Sequence, residues 1–67
     1  MKIELNGNEY SVEQNGITIQ KLIDELKLDI KSTAVAVNKT IISKSSYAEF
    51  ILKENDKIDM VTIAPGG

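Results

Sequence analysis

Hydrophobic and polar side chains alternate at the start of the chain, with the two-residue period of a half-buried β-strand. Residues 2–6 and 9–13 both show this alternation, and Asn6-Gly7-Asn8 connects them with residue types that tight hairpin turns favour. The pattern therefore predicts an opening β-hairpin. Its apolar side chains would share the buried face: Ile3, Leu5, Tyr10 and Val12.

A helical period follows the hairpin. Apolar side chains recur three and four positions apart and predict one stripe on a helix of roughly three turns: Ile19, Leu22, Ile23 and Leu26. Thr18 is a suitable N-cap, because its hydroxyl can accept a hydrogen bond from a free amide of the first turn. We interpret the stripe as the face that packs on the core.

The second half of the chain contains further predicted strands. Residues 33–38 and 57–63 have the alternation of strands, and 41–42 is a short extended segment. Turns are expected at 38–40 and 54–56, where Asn, Asp and Lys residues accumulate. We expect Ile58 and Met60 to face the helix.

Residues 43–50 have no clear period, and we expect a short helical turn or an irregular segment there, with Tyr47 anchoring it. One helix can cover one face of a four- or five-stranded sheet, which is a two-layer α+β domain. The sequence predicts a single domain over residues 1–63 and a flexible C-terminal tail over residues 64–67.

Composition narrows the functions that this fold can serve. The 67 residues include no cysteine and no histidine, which removes disulfides, the commonest metal ligands and the commonest general base. The eight lysines are scattered and the aromatic residues are few, so we expect no nucleic-acid partner. No apolar run approaches the length of a membrane span, and no signal peptide precedes the first strand; we expect a cytoplasmic protein without a membrane partner.

Catalytic patterns are missing as well. A Ser/His/Asp or Cys/His set cannot form, and no glycine-rich phosphate loop precedes the helix. Glu54-Asn55-Asp56 has the residue types of a weak cation site, but a solvated turn is the better interpretation, because Asn and Asp stabilise their own backbone. We expect no catalytic residue, no metal and no bound cofactor.

The chain ends on Gly66-Gly67 directly after an apolar strand. A frayed end would account for two glycines, because termini are often poorly ordered. Two residues without Cβ also form a thin segment that can enter a narrow active site and deliver a carboxylate. That carboxylate has an ordinary pKa of about 3.5 and is a poor electrophile until it is activated, usually by adenylation. If the chain carries sulfur, the absence of cysteine leaves the C-terminal carboxylate of Gly67, converted to a thiocarboxylate, as the one plausible attachment point.

Several segments together resemble the ThiS family of sulfur carrier proteins in thiamine biosynthesis, within the wider MoaD/ThiS ubiquitin-like group. The similar segments run through nearly the whole chain: the opening hairpin, residues 18–26, 35–38 with 41–42, 47–49, 52–58 and Gly66-Gly67. The resemblance implies a β-grasp fold whose first and last strands lie side by side and parallel at the centre of the sheet.

The resemblance also implies a function. An E1-like enzyme would use ATP to adenylate Gly67, and a cysteine desulfurase or a related donor would supply sulfur. The resulting thiocarboxylate would pass its sulfur to thiazole synthase, with Gly66 giving the slim approach. The chain would thus be a protein co-substrate and not an enzyme. Two positions depart from the family pattern: Pro65 replaces a small or apolar residue, and Asn55 replaces a glycine.

A docking surface follows from strand alternation combined with the β-grasp strand order. If Ile58 and Met60 face the helix, Val61 and Ile63 face outward. Ala34 and Ala36 would lie beside them on the same face. We expect these four residues to bind the partner enzymes, although scattered apolar residues on a surface need no special explanation.

Other functional hypotheses involve the same terminal chemistry or the same fold as a ThiS-like carrier. The small subunit of molybdopterin synthase has the same fold and Gly-Gly end, although it is usually longer, and other sulfur-carrier pathways would use the same terminus. A ubiquitin-like protein modifier would join Gly67 to lysines of its targets. A plain interaction domain would leave the tail inert.

Overall fold

The computed structural model describes residues 1–13 and 16–62. Its elements include five strands, β1 (Lys2–Leu5), β2 (Asn8–Ser11), β3 (Thr33–Val37), β4 (Thr40–Ile42) and β5 (Lys57–Thr62). The helix α1 (Ile19–Glu25) lies between the second and third strands, and short 3-10 helices occupy Ile30–Ser32 and Lys44–Ser46.

The strands form one mixed sheet in the order β2-β1-β5-β3-β4. β1 and β5 are parallel neighbours, whereas the pairs β1–β2, β3–β4 and β3–β5 are antiparallel. The last strand therefore lies at the centre of the sheet beside the first, which is the β-grasp arrangement implied by the resemblance.

Each of the two antiparallel hairpins, β1–β2 and β3–β4, has a tight turn whose residues adopt left-handed backbone conformations. The β1–β2 turn has φ of 49° at Asn6 and 83° at Gly7, and the β3–β4 turn has 50° at Asn38 and 70° at Lys39. Positive φ at both central residues is the type I′ geometry that matches the twist of the flanking strands. The predicted opening hairpin is confirmed.

Helix α1 begins as predicted and ends earlier. The hydroxyl of Thr18 accepts a hydrogen bond from the Lys21 amide at 3.1 Å, which confirms the N-cap. The helix has seven residues, about two turns rather than three. It ends because Lys27 adopts a φ of 58°, and the amides of Lys27 and Leu28 then bond to the carbonyls of Asp24 and Ile23. This is a Schellman cap with lysine in the position that glycine usually takes.

The core lies between α1 and one face of the sheet. The helix contributes Ile19, Leu22 and Ile23, which are fully buried as the apolar stripe predicted. The sheet contributes one alternate set of side chains from each central strand: Ile3, Val35, Val37 and Ile58. Val12, Ile17, Tyr47 and Leu52 close the rim of this cluster.

Tyr47 fastens the segment that follows β4. Its side chain is 1% exposed, and its hydroxyl donates to the Thr33 carbonyl at 3.2 Å and accepts from the Val35 amide at 3.1 Å. These are backbone groups of β3 beside the point where β4 ends. The predicted anchoring role of Tyr47 is confirmed. The residues before it, Lys44–Ser46, form a short 3-10 helix, which agrees with the helical turn expected for this segment.

Candidate functional site

The face of the sheet opposite α1 carries the residues that the sequence singled out. Ala34 and Ala36 are half-buried on β3, and Val61 on β5 is 63% exposed. Ala34 lies directly opposite Val61 across the β3–β5 pair. The predicted outward orientation of Val61 and the inward orientation of Ile58, which is 1% exposed, are both confirmed.

A fourth apolar side chain extends this group to the edge of the sheet. Ile41 on β4 lies opposite Ala36, and it is 83% exposed. We call the four residues that lie together on this open face the apolar strip: Ala34, Ala36, Ile41 and Val61. The strip crosses three neighbouring strands and combines two small side chains with two large exposed ones.

Ile41 was not among the predicted docking residues, although its position along the chain indicates the open face. A two-residue turn at Asn38-Lys39 pairs Val37 with Thr40, and this register places Ile41 opposite Ala36. Ile42 then faces the core and is half-buried. Strand alternation combined with the turn length would therefore have assigned Ile41 to the open face.

The remaining part of the open face is charged. Lys2 on β1 and Glu9 on β2 form an ion pair at 3.2 Å, with both side chains about two-thirds exposed. Glu4 of β1 lies opposite Lys57 of β5 across the parallel pair. An exposed ion pair such as Lys2–Glu9 contributes little to the stability of the fold, so these charged residues mainly make this part of the surface polar.

The turn at residues 54–56 uses its carboxylates for backbone hydrogen bonds. Glu54 accepts from the Lys2 amide at 2.7 Å, and Asp56 accepts from the Lys53 amide at 2.8 Å. Asn55 adopts a φ of 69°, which is the left-handed conformation that the usual glycine would also provide. Within residues 1–13 and 16–62 no cluster of His, Cys, Asp and Glu is suited to hold a metal ion.

The central strand is held by side chains of both tight turns. Asn38 accepts from the Lys57 amide at 3.0 Å, near the start of β5. Asn6 accepts from the Met60 amide at 2.7 Å, near its end. In both cases a side-chain oxygen occupies the position that a carbonyl of a neighbouring strand would otherwise fill.

β5 leads directly to the C-terminal residues. Thr62 is its last described residue and lies opposite Thr33 of β3. The predicted site residues Ile63, Gly66 and Gly67, the domain boundary at 63 and the departure at Pro65 all lie outside the described residues. Three of the four predicted docking residues, Ala34, Ala36 and Val61, belong to the described part of the chain and lie on the same face of the sheet.

This arrangement can present a terminus to another protein. The apolar strip includes Val61 of β5, the strand from which the terminal residues continue, and the exposed Asp59 lies beside the strip, opposite Ala36. No helix in the described part of the chain has the length and apolar character needed to cross a membrane.

Comparison with known proteins gives matches along the whole chain. The family model that matches residues 2–67 is that of the ThiS family. Proteins named thiazole synthase from Paramagnetospirillum magneticum and Magnetococcus marinus are each 36% identical over all 67 residues. The chain spans only 20% of the length of each of these two relatives.

Another relative has a length similar to that of this chain. An uncharacterized protein, ycf40, of Trieres chinensis is 30% identical over 63 residues, which are 94% of this chain and 85% of that protein. Its name gives no activity.

A solved structure has the same fold. The crystal structure of the thiamine biosynthesis protein ThiS of Geobacter metallireducens matches with a TM-score of 0.87 and 19% identity, and the match covers all of both chains. At this identity the likeness concerns the fold, and it confirms the β-grasp prediction.

Proposed function

This chain belongs to the ThiS family, and we propose that it is a sulfur carrier of thiamine biosynthesis whose cargo is bound at the carboxyl group of Gly67. One observation carries the proposal: the family match extends over residues 2–67 and includes the terminal Gly66-Gly67. With neither cysteine nor histidine in the chain, the terminal carboxyl group is the attachment point that its composition leaves for sulfur.

The proposed chemistry has two steps, and partner enzymes catalyse both. A carboxylate oxygen of Gly67 attacks the α-phosphorus of ATP, pyrophosphate leaves, and an acyl adenylate forms. A sulfur nucleophile at the oxidation level of sulfide then attacks the carbonyl carbon, and AMP leaves with the bonding electron pair. If the donor is instead a persulfide of a cysteine desulfurase, its outer sulfur attacks and forms an acyl disulfide, and a thiol then cleaves the S–S bond, which releases the thiocarboxylate and leaves the thiol in a disulfide with the desulfurase cysteine.

The carrier contributes shape and position to these steps. Glycine has no Cβ, so residues 66 and 67 allow the carboxyl group to enter a narrow adenylation site. The apolar strip provides a docking surface next to the strand that leads to this terminus. We infer that an E1-like adenylating enzyme binds this surface and uses ATP, while the carrier itself acts as a co-substrate.

Thiazole synthase is the proposed acceptor of the sulfur. The two relatives with that name contain a segment similar to the whole of this chain within a longer polypeptide. A carrier joined covalently to the enzyme that it supplies would have a high effective concentration at that enzyme. This observation favours thiazole formation over molybdopterin synthesis or protein modification.

The intact mass of the protein recovered from its native host tests the proposal. Cells are grown under demand for thiamine with the adenylating enzyme present, and the protein is then fragmented to locate any modification. We expect one oxygen of the Gly67 carboxyl group to be replaced by sulfur. A chain that lacks Gly67, expressed in the same host, is the matched control and should carry no sulfur.

An unmodified carboxyl group under these conditions would contradict the proposal. Isopeptide-linked ladders in a denaturing gel would instead indicate a protein modifier. Growth of the host without thiamine after deletion of Gly67 would indicate an interaction domain with an inert tail.

A further inference from the structure

The parallel pairing of β1 with β5 is shorter than β5 itself. It extends from Glu4 opposite Lys57 to Leu5 opposite Ile58. The Asn6 amide then donates to the Ile58 carbonyl at 2.9 Å, after which the chain turns away into β2. The next amide of β5 that faces this side belongs to Met60, and β1 has no further carbonyl to offer it.

The side chain of Asn6 supplies the missing acceptor. Its Oδ1 lies 2.7 Å from the Met60 nitrogen and continues the pairing by one position. Met60 is only two residues before the last described residue of β5. The hydrogen bond therefore holds the part of the central strand that leads to the carboxyl terminus.

Position 6 must satisfy two requirements at once. The turn needs a left-handed backbone, with φ of 49°, and β5 needs an acceptor oxygen on a short side chain. Glycine meets the first requirement only, and most other residues are strained at this φ. Asparagine and aspartate meet both, because they tolerate the left-handed region and carry an oxygen at the same distance from the backbone.

A similar hydrogen bond to an asparagine side chain occurs at the start of β5, and it provides a comparison for Asn6 within the same protein. Asn38 also occupies the first position of a tight turn with positive φ, and its Oδ1 accepts from the Lys57 amide at 3.0 Å. Asn38 and Asn6 thus bond to one strand from opposite neighbours. Asn6 lies towards the end that leads to Gly67, and Asn38 lies towards the other end.

We propose that Asn6 is a positioning residue of the carrier, whose side chain fixes the direction in which the end of β5 delivers the terminal glycines to a partner enzyme. The inference rests on the proposed function. Asn6 acts through Met60 and touches no reacting atom. It should therefore govern how readily the partner captures the terminus and leave the rate of the chemical step unchanged.

The test compares Asn6→Gly with Asn6→Asp and with the matched control Asn38→Gly. The first measurement is hydrogen exchange of the Met60 amide by NMR in the full chain. The second is steady-state adenylation by the host's adenylating enzyme, followed by ATP–pyrophosphate exchange, with separate kcat and KM values. Circular dichroism and thermal unfolding establish that each variant folds.

We expect Asn6→Gly to accelerate exchange of the Met60 amide about fivefold, the effect of losing one hydrogen bond of typical net strength. In the same variant the KM for the carrier should rise by roughly twofold to tenfold, the range that one such bond allows, with kcat unchanged. Asn6→Asp should restore both values. Asn38→Gly should lower thermal stability at least as much and leave KM at the wild-type value.

Several results would overturn the inference. An unchanged Met60 exchange rate in Asn6→Gly would show that the hydrogen bond does not hold β5. Faster exchange without a rise in KM would show that the bond has no part in delivery, and an equal rise of KM in Asn38→Gly would reduce the effect to general destabilisation. A wild-type chain that is not adenylated at all would refute the proposed function and the positioning role together, while the exchange rates would still report on the bond.

Discussion

The two faces of the sheet impose different requirements on the same strands. On β3, Val35 and Val37 face α1 and are at most 4% exposed, whereas Ala34 and Ala36 between them face outward and are half-buried. On β5, Ile58 is 1% exposed and Val61 is 63% exposed. The covered face requires side chains that fill a volume, whereas the open face has small residues flanked by large exposed ones.

This contrast separates stability from recognition within one element. Branched side chains on the covered face contribute free energy of folding by leaving water and packing against α1. The apolar strip has no such partner within the described chain, so its contribution to folding is small. A variant on one face should therefore affect stability, and a variant on the other should affect binding.

Leu22→Ala should have the largest effect on stability. Leu22 is fully buried at the centre of α1, and its truncation removes buried surface and leaves a cavity. We expect a loss of about 2–5 kcal/mol in the free energy of unfolding, measured by urea denaturation. Gln20→Ala on the exposed side of the same helix is the control and should change it by less than about 0.5 kcal/mol. Equal losses in the two variants would show that the packing contrast is wrong.

Tyr47→Phe should have the next largest effect. The substitution keeps the buried ring and removes the hydroxyl that bonds to Thr33 and Val35, so two buried backbone groups lose their partner. We expect a loss of about 1–3 kcal/mol in the same denaturation experiment. Tyr10→Phe is the control, because its hydroxyl makes no hydrogen bond to a described residue. A loss in Tyr10→Phe as large as that in Tyr47→Phe would contradict the anchoring role.

Val61→Lys should have the smallest effect on folding and a clear effect on binding. The side chain is mostly exposed, so the free energy of unfolding should change by less than about 1 kcal/mol, the span of strand propensities. Affinity for the adenylating enzyme, measured by calorimetry, should fall by roughly tenfold, because burying the lysine charge in an apolar contact costs free energy.

The control for Val61→Lys is Gln20→Lys, which adds the same charge on the exposed side of α1. It should leave affinity at the wild-type value. Ile41→Lys should resemble Val61→Lys if the apolar strip acts as one surface. Unchanged affinity in both strip variants would remove the docking hypothesis and leave the chemistry of Gly67 untouched.

Periodicity in the sequence predicted the strands, the helix and their buried faces, which depend on residues close together in the chain. The alternation in the opening hairpin and the spacing of Ile19, Leu22 and Ile23 identified the buried faces, because each pattern reflects the geometry of its own element. The length of α1 was overestimated, since lysine at position 27 gives no sign of a left-handed cap. Glycine there would have marked the end of the helix.

Contacts between distant segments could not be read from the sequence. Asn6 was recognisable as a turn residue, but its bond to Met60 joins positions 54 residues apart. The bonds of Tyr47 to β3 likewise depend on where β4 ends. Of the predicted site, the apolar strip could be deduced in part, because Ala34, Ala36 and Val61 follow from alternation and strand order, whereas Ile41 required the register of a second hairpin.

The central, parallel placement of β5 has a mechanical consequence. β1 and β3 flank this strand, and their hydrogen bonds to it run across its axis. A force applied at Thr62 along that axis loads the bonds to both neighbours in shear at the same time, whereas β4, at the edge, has hydrogen bonds to β3 only. A partner enzyme that draws the carboxyl terminus into its active site therefore pulls on a strand that hydrogen bonds hold from both sides.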